Sequence, residues 1–226
     1  MFLYFFIFLY LYYNIWLFIK FIFYKKNTIE GKNILLLTAH PDDEIMFFFP
    51  TIKNLKHNNL YLLCLSNGNY ENLGKIREKE IQKICQLLNF RGLFIEDFED
   101  DINNFWDTEK IQIKVNKYIQ KHNIDILITF DNKGISYHPN HISCNIGTNN
   151  TEGVEIFNLE TVYFYRKYIG YFDIFNIQNN ETVFFNLNIL QVIYYMVIHW
   201  SQMKWYRLLF LIFSRYSYVN NLKKIK

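Results

Sequence analysis

This sequence contains few cysteines and few prolines, and its net charge is small. Each of these features excludes some classes of protein. The three cysteines, Cys64, Cys85 and Cys144, form no CxxC pair and are odd in number, which argues against a disulfide framework and favours a reducing compartment. The net charge is only +3 and the basic residues are scattered, so a basic face for nucleic acid is not expected. No G-x-G-x-x-G motif follows the first predicted strand, which leaves dinucleotide binding without support.

The chain has 226 residues, 3 prolines, no internal repeat and no long linker. We therefore expect one soluble domain around a single hydrophobic core.

The amino terminus is a long apolar stretch. Residues Phe2 to Ile19 carry no charge, and a helix of this length crosses most of a hydrocarbon layer of about 30 Å. The alternative is a cleaved signal peptide, but an early positive charge and small residues before a cleavage site are missing. We predict a transmembrane anchor over residues 1–24. Lys20, Lys25 and Lys26 follow the run and no basic residue precedes it, which favours a cytoplasmic position for the rest of the chain.

Continuous apolar runs alternate with helix-like stretches through residues 25–182. Such runs are typical of strands buried on both faces, and their alternation with helices predicts a mostly parallel sheet. The predicted strands are Asn33 to Thr38, Leu60 to Leu65, Leu93 to Glu96, Ile124 to Phe130 and Thr161 to Tyr165. The predicted helices include Ile76 to Leu88 and Thr108 to His122. The expected fold class is α/β, with a Rossmann-like sheet and helices on both faces.

Residues 183–226 form a C-terminal segment rich in apolar and aromatic residues, which we predict to be helical. Lys204, Arg207 and Arg215 interrupt it, so a second membrane span is not predicted. The segment either lies against a bilayer or forms ordinary core helices, and the pattern favours neither.

A dense polar motif, AHPDDE, follows the first predicted strand. Ligands bind beyond the carboxyl ends of the strands in a parallel sheet, so motifs at this position carry most weight. Catalytic zinc takes three protein ligands, commonly His and carboxylate, and keeps a fourth position for water. His40 and Asp43 can supply two ligands, and Asp42 can act as the general base toward the water. The alternative is structural, with Asp42 and Asp43 capping the following helix.

A second motif, HPNH, follows the fourth predicted strand and its loop. One of His138 and His141 can complete the metal site, and the other can steady an oxyanion and protonate a leaving amine. Two nearby histidines alone are more typical of a solvated loop, but beside the first motif a catalytic role is favoured. Cys144 is a rival ligand, although a free cysteine is more often a small core residue.

Other polar residues give weaker signals. Arg77 either pairs with Glu80 on its helix or contacts substrate. The acidic run over residues 97–101 fits a solvated loop equally well. His57, His122 and His199 belong to no ligand pattern and are predicted to be surface or core histidines.

Six segments of the chain resemble the N-acetylglucosaminyl-phosphatidylinositol de-N-acetylases of the PIG-L type, a branch of the LmbE-like deacetylases. They are AHPDDE, GNYENLGKIREKE, DFEDD, WDTE, ITFDNKGISYHPNH and LETVYFYRKY. The tail HWSQMKWYRLLFLIFSRYSYVNNL is similar to the C-terminus of the eukaryotic members, so the resemblance covers nearly the whole chain and narrows the expected substrate.

The resemblance implies a zinc-dependent hydrolase that removes the acetyl group of this glycolipid in the second step of GPI-anchor biosynthesis. It implies His40, Asp43 and His141 as zinc ligands. It implies Asp42 as the general base and His138 as the group that stabilises the oxyanion and protonates the amine. The same ligand types also accept other divalent transition metals.

The resemblance also implies contacts with the substrate and a location. Arg77 is expected near the phosphate of the glycolipid, and Asp100 near the sugar hydroxyls. Pro139 departs from the small or polar residues of many members, but no ligand is lost. The implied location is the endoplasmic reticulum membrane, with the catalytic domain facing the cytoplasm and no nucleic-acid partner.

Overall fold

The computed structural model describes residues 2–23, 29–177 and 182–226, with side chains described for residues 4–16 of the first helix. The strands are β1 (Asn33–Thr38), β2 (Asn59–Cys64), β3 (Gly92–Ile95), β4 (Ile126–Phe130), β5 (Glu155–Leu159), β6 (Thr182–Phe185) and β7 (Val219–Lys224). The α-helices are α1 (Phe2–Phe23), α2 (Asp43–Met46), α3 (Phe49–Asn54), α4 (Gly74–Leu87), α5 (Thr108–His122), α6 (Gly134–Tyr137), α7 (Pro139–Ile146), α8 (Phe164–Lys167), α9 (Ile189–Ile198) and α10 (Trp205–Phe213).

The strands form one sheet in the order β3-β2-β1-β4-β5-β7-β6. The first five strands are parallel, and β7 pairs antiparallel with both β5 and β6. Every residue of β4 is buried, and so is every residue of β1 except Asn33. Since successive side chains of a strand point to opposite faces, this burial means that both faces of the central strands are covered. The predicted α/β fold with a mostly parallel sheet is confirmed.

Helix α5 illustrates how the sequence pattern produces the local structure. Its buried residues are Ile111, Val115 and Ile119, spaced by four so that they lie on one face. The Asp107 side chain accepts hydrogen bonds from the backbone N–H groups of Glu109 and Lys110, and this cap begins the helix at the predicted residue.

Four of the five predicted strands are confirmed to within two residues at each end. The predicted strand Thr161 to Tyr165 is wrong, because β5 takes its place in the sheet. Tyr163, Phe164 and Tyr165 are 73%, 77% and 67% exposed. Aromatic residues favour strands because they pack on a half-buried sheet surface, and these three side chains have no such surface.

The C-terminal segment is helical only in part. It contains α9 and α10, but it also contributes strands β6 and β7, and β7 lies inside the sheet between β5 and β6. Arg215 does not interrupt an apolar helix: it is fully buried and its Nε lies 2.5 Å from Asp173 Oδ2. The segments before and after residue 182 therefore build a single sheet.

The N-terminal residues Phe2–Phe23 form helix α1. The predicted transmembrane helix is not found, because no helix within the described ranges is both long and apolar enough to cross a membrane. Among residues 4–16, Asn14 and several tyrosines add amide and hydroxyl groups to the apolar run. Lys25 and Lys26, on which the predicted orientation partly depends, lie outside the described residues.

The strand order determines where a site can form. From β1 the chain continues to β2 on one side, whereas β4 pairs with β1 on the other side. The carboxyl ends of β1 and β4 thus flank a topological switch point, where ligands bind in open α/β sheets. Both polar motifs follow these two strands.

Candidate active site

Three side chains from the loops after β1 and β4 converge at this switch point. His40, Asp43 and His141 each offer one ligand atom, and these atoms lie within 4.8 Å of one another. The three residues are 7%, 3% and 3% exposed. Two imidazoles and one carboxylate are a donor set of catalytic zinc sites, so the residues present fit a divalent metal.

Asp43 is held in place by its own loop. Its Oδ2 accepts hydrogen bonds from the backbone N–H groups of Ala39, at 3.1 Å, and His40, at 2.8 Å. Its Oδ1 lies 3.3 Å from Nε2 of His141. Burial opposes the charged form, but the interactions with His141 and His40 outweigh it and hold the pKa of Asp43 well below its usual value. Asp43 is therefore an anion placed to bind a cation.

His141 is oriented by partners on both sides of its ring. Nδ1 lies 3.1 Å from the carbonyl oxygen of Gly134, and the ring stacks on Phe130 with a centroid distance of 4.0 Å. A carbonyl partner requires a proton on Nδ1, which leaves Nε2 as the ring nitrogen that a metal would bind. Gly134 has φ +54°, and a Cβ there would lie 2.7 Å from the Cβ of His141.

His40 lies between acidic and amide partners. Its Nε2 is 3.1 Å from Asn140 Oδ1 and 3.2 Å from Asp100 Oδ1. Burial lowers the pKa of His40. The hydrogen bond to Asp100 and the charge of Asp43 raise it by more, so the net shift of the pKa is upward. A metal must displace a proton to bind such a ring.

Asp42 adopts a conformation that is unusual for a residue with a side chain. Its φ is 125°, and such backbone costs of the order of 1–3 kcal/mol and clusters at functional sites. Its N–H donates a hydrogen bond to Glu44 Oε2 at 3.0 Å. Its carboxylate makes no capping hydrogen bond to α2, which goes against the structural alternative. The carboxylate instead meets two guanidinium groups, those of Arg77 and Arg207.

His138 is the N-cap residue of α7, and its Nδ1 accepts the N–H of Asn140 at 3.2 Å. Burial, together with the charges of His141 and His40, lowers the pKa of His138 to about 4. The ring is therefore neutral at neutral pH, and the hydrogen bond at Nδ1 leaves its proton on Nε2. The contact at Nδ1 leaves Nε2 as the ring nitrogen that can donate a hydrogen bond in the cavity.

The two predicted substrate contacts are engaged with protein groups. Arg77 donates to the carbonyl oxygens of Gly68 and Pro41, at 3.0 and 2.7 Å, and lies 3.4 Å from Asp100. The alternative pairing of Arg77 with Glu80 is not formed, because Glu80 accepts hydrogen bonds from the N–H and hydroxyl of Ser201. Contacts of Arg77 and Asp100 with substrate remain a prediction.

The polar residues surround one open cavity of about 370 Å³. Its lining combines the five predicted chemical residues with polar and aromatic side chains from several elements. The lining residues are His40, Asp42, Asp43, Met46, Phe47, Tyr70, Glu71, Arg77, Asp100, Ile102, Ser136, His138, His141, Gln202, Tyr206, Arg207 and Phe210.

The remaining predictions concern a cysteine and three histidines. Cys144 is fully buried outside the ligand group, and burial raises the pKa of its thiol well above the usual value, so it is a small core residue. His57 is exposed, and His122 stacks on Phe94 at a centroid distance of 4.9 Å. His199 is fully buried, but it belongs to the surroundings of the site.

Sequence patterns missed three residues that support Asp42. Glu44 and His199 form a buried pair with Oε1 and Nε2 at 2.5 Å, and Glu44 also accepts the Asp42 N–H. Arg207 donates directly to the Asp42 carboxylate. Glu44 stood within the AHPDDE motif without an assigned role. His199 and Arg207 lie in HWSQMKWYR, which no ligand spacing marks and which only the similarity of the tail brings to attention.

Comparison with known proteins agrees with this geometry. The PIG-L family, described as GlcNAc-PI de-N-acetylase, matches residues 35–151, more than half of the chain. The chain belongs to this family. The match includes both the AHPDDE and the HPNH motifs, and the family consists of metal-dependent amide hydrolases, so this GlcNAc-PI de-N-acetylase family member is an enzyme of that class.

Similarity to individual family members extends beyond the matched range. A probable N-acetylglucosaminyl-phosphatidylinositol de-N-acetylase of Dictyostelium discoideum is 36% identical, over 88% of this chain and 96% of that protein. The N-acetylglucosaminyl-phosphatidylinositol de-N-acetylase of Bos taurus is 35% identical, over 85% of this chain and 83% of that protein. The uncovered part of the chain is shorter than the C-terminal segment, so at least part of that segment lies within the similar region.

The fold is also similar to that of solved deacetylases. The N,N′-diacetylchitobiose deacetylase from Pyrococcus horikoshii superposes with a TM-score of 0.63, covering 86% of this chain and 84% of that one, at 17% sequence identity. At such low identity, the likeness concerns the fold alone.

Proposed function

We propose that this protein hydrolyses the N-acetyl group of N-acetylglucosaminyl-phosphatidylinositol to give glucosaminyl-phosphatidylinositol and acetate, the second step of GPI-anchor biosynthesis. The observation that carries the proposal is the meeting of the His40, Asp43 and His141 ligand group with Asp42 and His138 around one cavity. Two relatives that align over most of the chain are named for this substrate.

In this proposal His40, Asp43 and His141 hold a zinc ion. Their donor set suits zinc, although the same side chains accept other divalent transition metals. When bound, the metal supplies Lewis-acid chemistry, acidifying water and polarising the acyl carbonyl. The raised pKa of His40 means that metal uptake releases a proton and weakens as the pH falls.

Asp42 and His138 carry out the proton transfers. Asp42 takes a proton from the water that attacks the acetyl carbonyl, from a loop position fixed by the bond of its N–H to Glu44. His138, neutral and protonated on Nε2, donates a hydrogen bond to the oxyanion that develops. The proton that Asp42 takes from the water balances the one that the leaving amine gains, so Asp42 is regenerated as the carboxylate. The C–N bond breaks, and acetate and the free amine leave.

We further propose that the enzyme works at the endoplasmic reticulum membrane with its catalytic domain facing the cytoplasm. Its glycolipid substrate has acyl chains that stay in the bilayer, so the cavity must open close to that surface. Helix α10 supports this arrangement, because Trp205 is 76% exposed and Phe213 is 54% exposed while Tyr206 and Phe210 line the cavity. Exposed aromatic side chains are enriched at membrane interfaces. The free, buried cysteines are compatible with a reducing compartment.

The deciding experiment is acetate release from N-acetylglucosaminyl-phosphatidylinositol by the detergent-solubilised full chain. We expect activity that a chelator removes and added zinc restores, and that Asp42→Asn lacks. Turnover of simple N-acetylglucosamine glycosides in preference to the inositol lipid would redirect the substrate assignment. No turnover of any N-acetyl substrate by metal-loaded, folded protein would overturn the proposal.

A further inference from the structure

We propose that Arg207 binds the phosphodiester of the substrate. In the free enzyme the same guanidinium pairs with the Asp42 carboxylate, and the negative charge of the phosphodiester attracts it away from Asp42. The inference rests on the proposed function, because it needs a substrate with a phosphodiester near the acetylated sugar. It makes Arg207 a residue that determines specificity for an anionic headgroup.

The position of Arg207 is the first observation. Helix α10 places its side chain at the cavity, where Nη1 donates a hydrogen bond to Asp42 Oδ2 and lies 3.9 Å from the sulfur of Met46. The Arg207 side chain is 22% exposed, whereas that of Asp42 is 5% exposed. A partly solvated guanidinium thus closes over the buried carboxylate that the chemistry needs as its base.

Arg77 provides the contrast. It approaches the other oxygen of Asp42, at 3.5 Å, but it is only 6% exposed and also donates to two backbone carbonyls and faces Asp100. Moving Arg77 toward a ligand would leave the buried carbonyl oxygens of Gly68 and Pro41 without a donor, and a buried acceptor without a partner is destabilising. Arg207 can turn with far less loss, since a phosphate oxygen would replace the carboxylate oxygen that it leaves. Of the two guanidiniums at Asp42, Arg207 is therefore the one suited to a substrate.

The charge of the cavity is the second observation. Four carboxylates and two guanidiniums line it: Asp42, Asp43, Glu71, Asp100, Arg77 and Arg207. A divalent metal would bring these charges to neutrality, so the removal of one guanidinium would leave an excess of negative charge that repels a phosphodiester. Arginine also presents a planar fork of donors that matches two phosphate oxygens, which a lysine does not.

The two contacts of Arg207 exclude one another, which couples binding to chemistry. While Arg207 donates to Asp42, the base is paired with a cation and is hindered from approaching water. A substrate with a phosphodiester takes the guanidinium and frees the carboxylate, whereas a neutral N-acetylglucosaminide does not. Binding of the headgroup would in this way free Asp42 to act as the general base.

The test compares two substrates on the full chain in detergent. One is N-acetylglucosaminyl-phosphatidylinositol, and the other is N-acetylglucosaminyl-inositol, which lacks the phosphate. With Arg207→Ala, we expect kcat/KM to fall about 10- to 100-fold on the first substrate, mainly through KM, because a charge-assisted contact is lost. On the second substrate, kcat/KM should stay constant or rise, because Asp42 is released.

Two further variants serve as controls. Arg207→Lys should recover part of the loss. Lys204→Ala, which removes an exposed charge just before α10, should match the wild type on both substrates.

A second measurement needs no turnover. Calorimetry with glycerophosphoinositol, a soluble headgroup without the sugar, should give at least a tenfold weaker affinity for Arg207→Ala than for the wild type and Lys204→Ala. Headgroup binding without deacetylation by the wild type would defeat the proposed function and leave this inference standing. An equal loss on both substrates, or unchanged headgroup affinity in a variant with wild-type metal content and unfolding temperature, would overturn the inference. If Arg207→Ala fails to fold, Arg207→Gln serves in both measurements.

Discussion

Glu44 and His199 are 155 positions apart in the chain, yet Oε1 of one and Nε2 of the other lie 2.5 Å apart, and both side chains are fully buried. The second oxygen of Glu44 accepts the backbone N–H of Asp42. The end of α9 is therefore connected through one buried carboxylate to the strained loop that presents the proposed base. His199 acts here as a positioning residue, since its side chain pairs with Glu44 and not with the ligand group.

The stability of the protein should depend on this pair. Burial lowers the pKa of His199, but the charge of Glu44 and its hydrogen bond outweigh burial, so the pKa is raised above 6.5. A histidine with a raised folded pKa contributes its full stability below about pH 6.5, the unfolded value, and loses it as the pH rises through the folded value. We expect urea denaturation to show this loss as the pH rises above 6.5 in the wild type.

The matching variants separate this pair from other titrating groups. His199→Gln should lower the free energy of unfolding at pH 6.5 by about 3–5 kcal/mol, because a buried carboxylate loses its charged partner. It should also flatten the decline above pH 6.5. His57→Gln, at an exposed position, should retain the wild-type profile. A His199→Gln profile that keeps the wild-type slope would contradict the assignment.

Gly134 gives a prediction about backbone geometry at the metal site. Its φ is +54°, and an added Cβ would lie 2.7 Å from His141 Cβ and 3.1 Å from the backbone nitrogen of Ile142. Gly134→Ala should therefore displace His141 and weaken metal binding, measured by competition with a chromogenic chelator. Gly153→Ala is a matched control, because Gly153 has φ +73° but open space around it. It should cost only about 1–2 kcal/mol of stability and leave metal affinity unchanged.

The ligand set itself predicts metal retention. His40→Ala, Asp43→Ala and His141→Ala should each lose most of the bound metal on dialysis, because a three-ligand site has no ligand to spare. Elemental analysis of the dialysed proteins checks this, with His122→Ala as a control away from the site. A ligand variant that still holds one equivalent of zinc would refute the role of that residue.

Asp42→Asn should separate catalysis from metal binding. The amide is close in size to the carboxylate but cannot accept a proton, so we expect kcat to fall about 10²- to 10⁴-fold with metal content unchanged. Initial rates of acetate release measure the effect. Asp97→Asn, which changes an exposed carboxylate of the acidic loop, should have wild-type rates. Wild-type rates in Asp42→Asn would instead indicate that another group takes the proton.

The neutral state of His138 predicts which substitutions are tolerated. Because burial lowers its pKa to about 4, it acts above that pH as a hydrogen-bond donor rather than as a cation. His138→Ala should retain metal and lose kcat by about 100-fold or more. His138→Gln keeps an N–H donor and should recover part of the rate. Equal rates for the two variants would show that donation from this position is not what matters.

Local patterns account for the parts of the site that were predicted from sequence. His40, Asp42 and Asp43 directly follow a strand whose apolar run is unambiguous, and His138 and His141 follow another, so strand ends were enough to bring them together. The error at Thr161 to Tyr165 has the opposite cause. Aromatic residues there suit a strand, but Thr161 instead donates through both its N–H and its hydroxyl to Asp131, at 2.7 and 2.5 Å.

Contacts between residues that lie far apart in the sequence could not be predicted in the same way. Arg207 reaches Asp42 across 165 positions, and His199 reaches Glu44 across 155. Both contacts depend on α9 and α10 packing beside the β1 loop, and a helical pattern identifies a helix without fixing its neighbours. The neutral state of His138 was likewise hidden, since it arises from burial and from two histidines of different loops.

The connection between β6 and β7 has a further consequence. These strands are antiparallel neighbours, and Phe185 lies opposite Val219, so residues 186–218 leave and re-enter the sheet at adjacent points. This segment is a single excursion from the edge of the sheet. It carries His199 and Arg207 together. Exchange of residues 186–218 between family members would therefore replace the positioning residue His199 and the proposed headgroup contact Arg207 in one step, and both of them act on Asp42.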